Sequence, residues 1–102
     1  MAIVNLTAKN FDSSVAEGAW VIDFWATWCG PCRMQGKLLE NGAAMLEERG
    51  IKIGKVNVDE EQELAMRFGI LSIPTLLVYK DGQKINSFVG VQQLSTLAEA
   101  IK

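Results

Sequence analysis

Apolar positions along this chain fall into two kinds of run, short continuous ones and longer ones spaced at three and four. Ile3 to Leu6 is a short apolar run that stops at Thr7 and predicts a first strand. Asn10 is placed to cap a short helix with Phe11 and Val15 on one face, ended by Gly18. Trp20 to Ala26 is apolar at nearly every position instead of every second one, the pattern of a parallel strand covered by helices on both faces. Asp23 interrupts that run, and in such a strand a charge is buried whichever way it points. Leu38, Leu39, Ala43 and Leu46 keep a helical stripe over Arg33 to Arg49, and Gly50 stops it. Gly36 and Gly42 each cost about 1 kcal/mol there relative to alanine, so this helix depends on packing. Asn41-Gly42 is a candidate break, but the stripe continues through it and predicts one helix.

Ile51 to Val58 reads as a third strand. Asp59 with Gln62 resembles a capping box that opens a helix bearing Leu64, Ala65 and Phe68 on one face, closed by Gly69. Ile73-Pro74-Thr75 introduces a strand from Leu76 to Tyr79, and Asp81-Gly82 turns it into a partner from Lys84 to Val89. Val91, Leu94, Leu97, Ala98 and Ile101 line a last helix. The order strand, helix, strand, helix, strand, helix, hairpin, helix is that of an α/β fold. Its early strands pair in parallel through right-handed crossovers, and the hairpin adds an antiparallel edge, giving a mixed sheet between helices.

Length and composition narrow the picture. The chain of 102 residues makes one domain, residues 1–102, with no repeat or linker. Its 49% hydrophobic and 22% charged residues suit a globular core. A net charge of -2 without a long basic run argues against nucleic acid or an anionic membrane as partner. Met1-Ala2-Ile3 carries no basic leader, and no run approaches the roughly 18 apolar residues of a membrane span, so a cytoplasmic location is expected.

Chemistry concentrates in Trp28-Cys29-Gly30-Pro31-Cys32, between the second strand and the long helix. In a reducing compartment such a pair is catalytic or metal-binding more often than structural. Closing so short a loop also removes little entropy from the unfolded chain, so the pair is a poor staple. A thiolate attacks disulfides and a thiol does not. At a helix N-terminus, unpaired N–H groups and the positive end of the dipole favour the anion of Cys29. Pro31 fits the first turn, where its missing N–H costs nothing. Cys32, one turn in, is placed to attack a mixed disulfide on Cys29, making the two a nucleophile and a resolver.

The phrases Asp23-Phe24-Trp25-Ala26, Trp28-Cys29-Gly30-Pro31-Cys32, Lys55-Val56-Asn57-Val58-Asp59 and Ile73-Pro74-Thr75, in that order and separation, resemble the thioredoxin family over nearly the whole chain. The resemblance implies a five-stranded mixed sheet in the order 1-3-2-4-5 flanked by four helices. It also implies dithiol-dependent reduction of protein disulfides without a cofactor or metal, by a monomer that thioredoxin reductase recycles. Asp23 then becomes a general base or proton relay for Cys32, with Lys55 beside it; the plainer alternative is a structural carboxylate satisfied by Lys55. An X-Pro bond is usually trans, but the resemblance implies a cis Ile73-Pro74 bond facing the thiols, with the Ile73 backbone offering strand-like hydrogen bonds to an extended substrate. It likewise assigns Trp28, Gly30, Pro31, Ile73, Pro74, Val89, Gly90 and Val91 to an apolar rim that binds varied proteins. Trp25 and Phe24 are expected in the core, and Arg33 in solvent.

The family usually has a proline where this chain has Lys37, preceded by Gly36. Its absence predicts a straighter helix, or a bend made by Gly36. Zinc or an iron–sulfur cluster wants four ligands, and the chain has two cysteines and no histidine. An accessory protein that does not need its thiols stays open as an alternative, and a double Cys→Ser variant that kept biological function would favour it. Gly30-Pro31 resembles the dipeptide of the family's reductants, and that resemblance disfavours isomerase, oxidase and glutaredoxin-like readings.

Overall fold

The computed structural model describes residues 3–101; Met1, Ala2 and Lys102, counted above in the domain, lie outside the described residues. The elements are β1 (Ile3–Asn5), α1 (Phe11–Val15), β2 (Ala19–Trp25), α2 (Gly30–Glu48), β3 (Ile51–Asn57), α3 (Gln62–Arg67), β4 (Thr75–Lys80), β5 (Gln83–Val89) and α4 (Leu94–Glu99). One sheet has the order β1-β3-β2-β4-β5, as the resemblance implies, with β2 at its centre. β3 pairs in parallel with both β1 and β2, while β4 runs antiparallel to β2 and β5.

The unbroken apolar run of β2 follows from this place. Trp20, Ile22 and Phe24 point into one cluster with Phe11 and Val15 of α1 and Leu64 of α3. Ala19 and Val21 point into the other, with Leu39, Ala43 and Leu46 of α2 and Leu97 and Ala98 of α4. Burial on both faces removes the need for alternation. Asp23 shares the second face, so its carboxylate looks toward α2. The β4–β5 turn follows its sequence as well: Asp81 and Gly82 take φ of 49° and 85°, the left-handed pair that a tight hairpin requires.

α2 runs unbroken through Gly36, Lys37 and Gly42. Gly36 and Gly42 mark close approach. A side chain at Gly42 would run into Leu94 at the start of α4. Gly42→Val is therefore expected to lower stability by about 1–3 kcal/mol through overpacking, although glycine itself disfavours the helix. A reduced urea midpoint at unchanged m-value would show this; an unchanged or higher midpoint would mean that α4 yields freely.

Several local expectations are corrected. α2 starts at Gly30 instead of Arg33, because Cys29 is its N-cap and Pro31 lies in its first turn. Asn10 precedes α1 but does not cap it with its side chain. Its Oδ1 accepts from Thr7 N–H at 2.7 Å and its Nδ2 donates to the Asn5 carbonyl at 3.2 Å, so it secures the incoming loop instead. Asp59 does not open α3, which begins after Glu61 without a side-chain cap. β1 ends one residue before Leu6. Val91 and Ile101 fall outside α4. Phe24 is fully buried, but Trp25 is only partly so.

Candidate active site

The C-terminal end of β2 delivers the chain to the thiols. Cys29 is extended, with φ of -95° and ψ of 113°, and the helix begins at the next residue. Its sulfur accepts the Cys32 N–H at 3.2 Å, satisfying one of the orphan donors at a helix start. The two cysteines are joined in a disulfide, their Cα atoms 5.2 Å apart. Both are buried, in a small cluster with Ala26 that Trp25, Val58 and Ile73 pack against.

The loop before β4 closes over this pair. Cys29 Sγ lies 3.8 Å from the Ile73 carbonyl oxygen. The Ile73-Pro74 bond is cis, as expected. Gly90 N–H donates to the Pro74 carbonyl at 2.8 Å, bringing the end of β5 to the same place, where Val89 pairs with Thr75. Trp28 is 67% exposed and Val89 66%, large fractions for apolar side chains this near a reactive centre. Gly30 and Pro31 are exposed, Ile73, Gly90 and Val91 are partly buried, and Pro74 is buried. Trp28 does not hang free: its Nε1 donates to Asp59 Oδ2 at 2.9 Å, which is where the carboxylate expected to cap α3 is spent. Arg33 is exposed and donates to the Thr27 carbonyl at 3.3 Å.

Asp23, in the middle of β2, has no solvent exposure, and neither carboxylate oxygen has a hydrogen-bond partner among the described residues. Lys55 is its register neighbour on β3, with Nζ 3.9 Å from Oδ2, an ion-pair distance but too long for a hydrogen bond. Burial pushes the Asp23 carboxyl up to about 6, against the smaller opposing pull of the Lys55 charge. Lys55 Nζ also sits 4.6 Å over the Trp25 ring. A Cβ at position 36 would stand 3.3 Å from it, so Gly36 leaves the ammonium its space. A groove lined by Trp25, Cys32, Arg33, Gly36, Lys37 and Lys55 opens this corner to solvent.

Two residues of the site leave little trace in the sequence. Asp59 has the spacing of a capping box but accepts from the Trp28 indole instead. Gln35 is fully buried on α2 one turn beyond Cys32. The available signal was a polar side chain on the apolar stripe of Cys32 and Leu39, at three- and four-residue spacing.

Among the described residues no helix is long and apolar enough to cross a membrane, and no three His, Cys, Asp or Glu side chains are grouped to hold a metal. The family model for thioredoxin matches residues 2–102. The thioredoxins of Staphylococcus aureus strains Mu50 and MW2 are each 48% identical over 101 residues, covering 99% of this chain and 96% of theirs. The crystal structure of Malassezia sympodialis thioredoxin superposes with a TM-score of 0.82 at 35% identity, over 97% of this chain and 88% of that one.

Proposed function

Since the chain belongs to the thioredoxin family and is a thiol-disulfide oxidoreductase, we propose that it reduces protein disulfides with Cys29 as nucleophile and Cys32 as resolving thiol. The observation that carries this assignment is the bond from Cys32 N–H to Cys29 Sγ at the start of α2. It places a donor and the helix dipole on the first sulfur, which favours its thiolate. Cys32 lies inside the first turn, shielded and within reach of Cys29.

The remaining residues support that exchange from two sides. Trp28, Gly30, Pro31, Ile73, Pro74, Val89, Gly90 and Val91 form the surface on which an extended substrate segment lies, and the partly buried Ile73 backbone beside Cys29 offers it hydrogen bonds. Asp23 takes the proton from Cys32 as it attacks, and Lys55 and the groove beside Gly36 connect that carboxyl to solvent. A carboxyl near 6 is suited to this, since it changes protonation close to neutrality. Family membership implies disulfide substrates and a reductase partner. We take the reductase to be thioredoxin reductase, the working unit to be a single domain of residues 1–102 acting as a monomer, and its location to be the cytoplasm, where a protein whose only cysteines are a redox pair is kept reduced.

The test is competitive alkylation of the reduced protein with limiting iodoacetamide at pH 7, read by peptide mapping. Cys29 is expected to be modified about tenfold faster than Cys32, or more. Equal rates, or faster modification of Cys32, would overturn the assignment.

A further inference from the structure

Gln35 is the buried side chain that the exchange chemistry leaves unexplained. A fully buried amide needs partners at both ends. Both are found on one residue: Gln35 Oε1 accepts from Gln92 N–H at 2.7 Å, and Gln35 Nε2 donates to the Gln92 carbonyl at 3.2 Å. A side chain that bonds both backbone groups of one residue acts as a strand partner would, fixing the position and the orientation of that peptide. Gln92 belongs to the stretch between β5 and α4 that is in neither a strand nor a helix, directly after Gly90 and Val91. No ladder holds this stretch, so individual hydrogen bonds do. Gln92 Nε2 adds donations to the Gly90 carbonyl at 3.3 Å and the Val89 carbonyl at 3.4 Å. Gly90 N–H is tied to Pro74. The segment is thus pinned on one side to the proline loop and on the other to the helix that carries the thiols.

We propose that Gln35 is a positioning residue that locks the Gly90–Gln92 stretch of the substrate rim to the thiol-bearing helix, and thereby sets how tightly protein disulfides bind. The inference rests on the reading of Gly90 and Val91 as part of that rim. Leucine would suit the stripe of Cys32 and Leu39 as well as glutamine does, so burial alone gives no reason for an amide here. What an apolar residue removes is the partner for Gln92. Gln35 touches no reacting sulfur, so its loss acts on substrates that lie along the rim and spares those that need the thiols alone.

The experiment compares the full chain with Gln35→Leu and Gln35→Met, using insulin as the protein disulfide and cystamine as the small one. The KM for insulin is expected to rise about fivefold, the loss of one to two ordinary hydrogen bonds' worth of positioning, with kcat and the cystamine rate changed less than about twofold. In the unmodified chain the Gln92 amide is expected to be protected from hydrogen exchange, and in the variants to lose at least about fivefold of that protection. Unchanged KM in a folded variant overturns the inference, as do insulin and cystamine rates that fall together, which would mark a merely structural role. A Gln92 amide that exchanges freely in the unmodified chain overturns it without any variant. If the unmodified chain cannot reduce insulin, the proposed function fails; if it can and the variants match it, only the role of Gln35 fails.

Discussion

Replacing Cys32 with serine is expected to turn the protein from a turnover reductant into a trap that holds its disulfide partner on Cys29. In the first exchange the Cys29 thiolate attacks a substrate sulfur; a bond forms between them as the substrate's S–S bond breaks, and one substrate thiolate leaves. In the second, Cys32 attacks Cys29 Sγ, the internal disulfide forms, and the other substrate thiol departs. The second step is intramolecular. The helix start holds Cys32 N–H against Cys29 Sγ at 3.2 Å with the Cα atoms 5.2 Å apart, so the resolving sulfur is present at very high effective concentration. A serine hydroxyl at that place stays protonated and does not attack sulfur. Turnover with a protein disulfide is expected to fall by roughly three orders of magnitude or more, while a dithiol-reversible adduct accumulates on Cys29 and is seen by mass spectrometry. Cys29→Ser should form no adduct. Adducts through Cys32 in that variant, and none in Cys32→Ser, would reverse the two roles.

The parts of this arrangement that could be read in advance are those written in long-range hydrophobic pattern. The doubly buried β2, the α2 stripe and the Asp81-Gly82 turn each leave a periodicity or a dipeptide that admits few structures. Local hydrogen-bond choices leave no such mark. Asn10 has the composition of a helix cap, but its short side chain reaches Thr7 and Asn5 on the loop side equally well, and the native loop takes it. Asp59 has the spacing of a capping box, but a competing donor, the indole of Trp28, comes from 31 residues away. Gln35 is invisible for the same reason: its partner, Gln92, is 57 residues distant. The same limit applies to Gly36, whose use appears only once β3 brings Lys55 beneath it. Pairwise polar contacts across elements are set by the fold, and the sequence records only that a polar residue stands on an apolar face.

Asp23→Asn is expected to make the oxidised protein more stable at neutral pH and a worse catalyst. Burial raises the Asp23 carboxyl to about 6 in the folded chain, from 3.8 for an unperturbed one. Below about pH 4 both states carry the proton and the carboxyl contributes no pH dependence. Between about 4 and 6 the unfolded chain releases its proton while the folded chain keeps it, so stability falls as pH rises. Above that window the loss is complete, at roughly 3 kcal/mol. Asparagine has no charge to desolvate, so the variant should be more stable by up to about that amount at pH 7.5 and nearly equal at pH 4. The exposed Asp12, held low by its hydrogen bonds to Arg67, adds a slope of the opposite sign, but both proteins share it and the difference cancels it. Urea unfolding of the two proteins across this range measures the gap. A constant gap would mean that the carboxyl does not titrate there. If Asp23 relays the proton, the same substitution slows resolution of a mixed disulfide across neutral pH; if it is only a structural partner of Lys55, resolution proceeds at the normal rate. A variant that gains stability and loses resolution would show why a carboxylate without a hydrogen bond, only 3.9 Å from Lys55, persists in the core: its cost is what places its proton near neutrality.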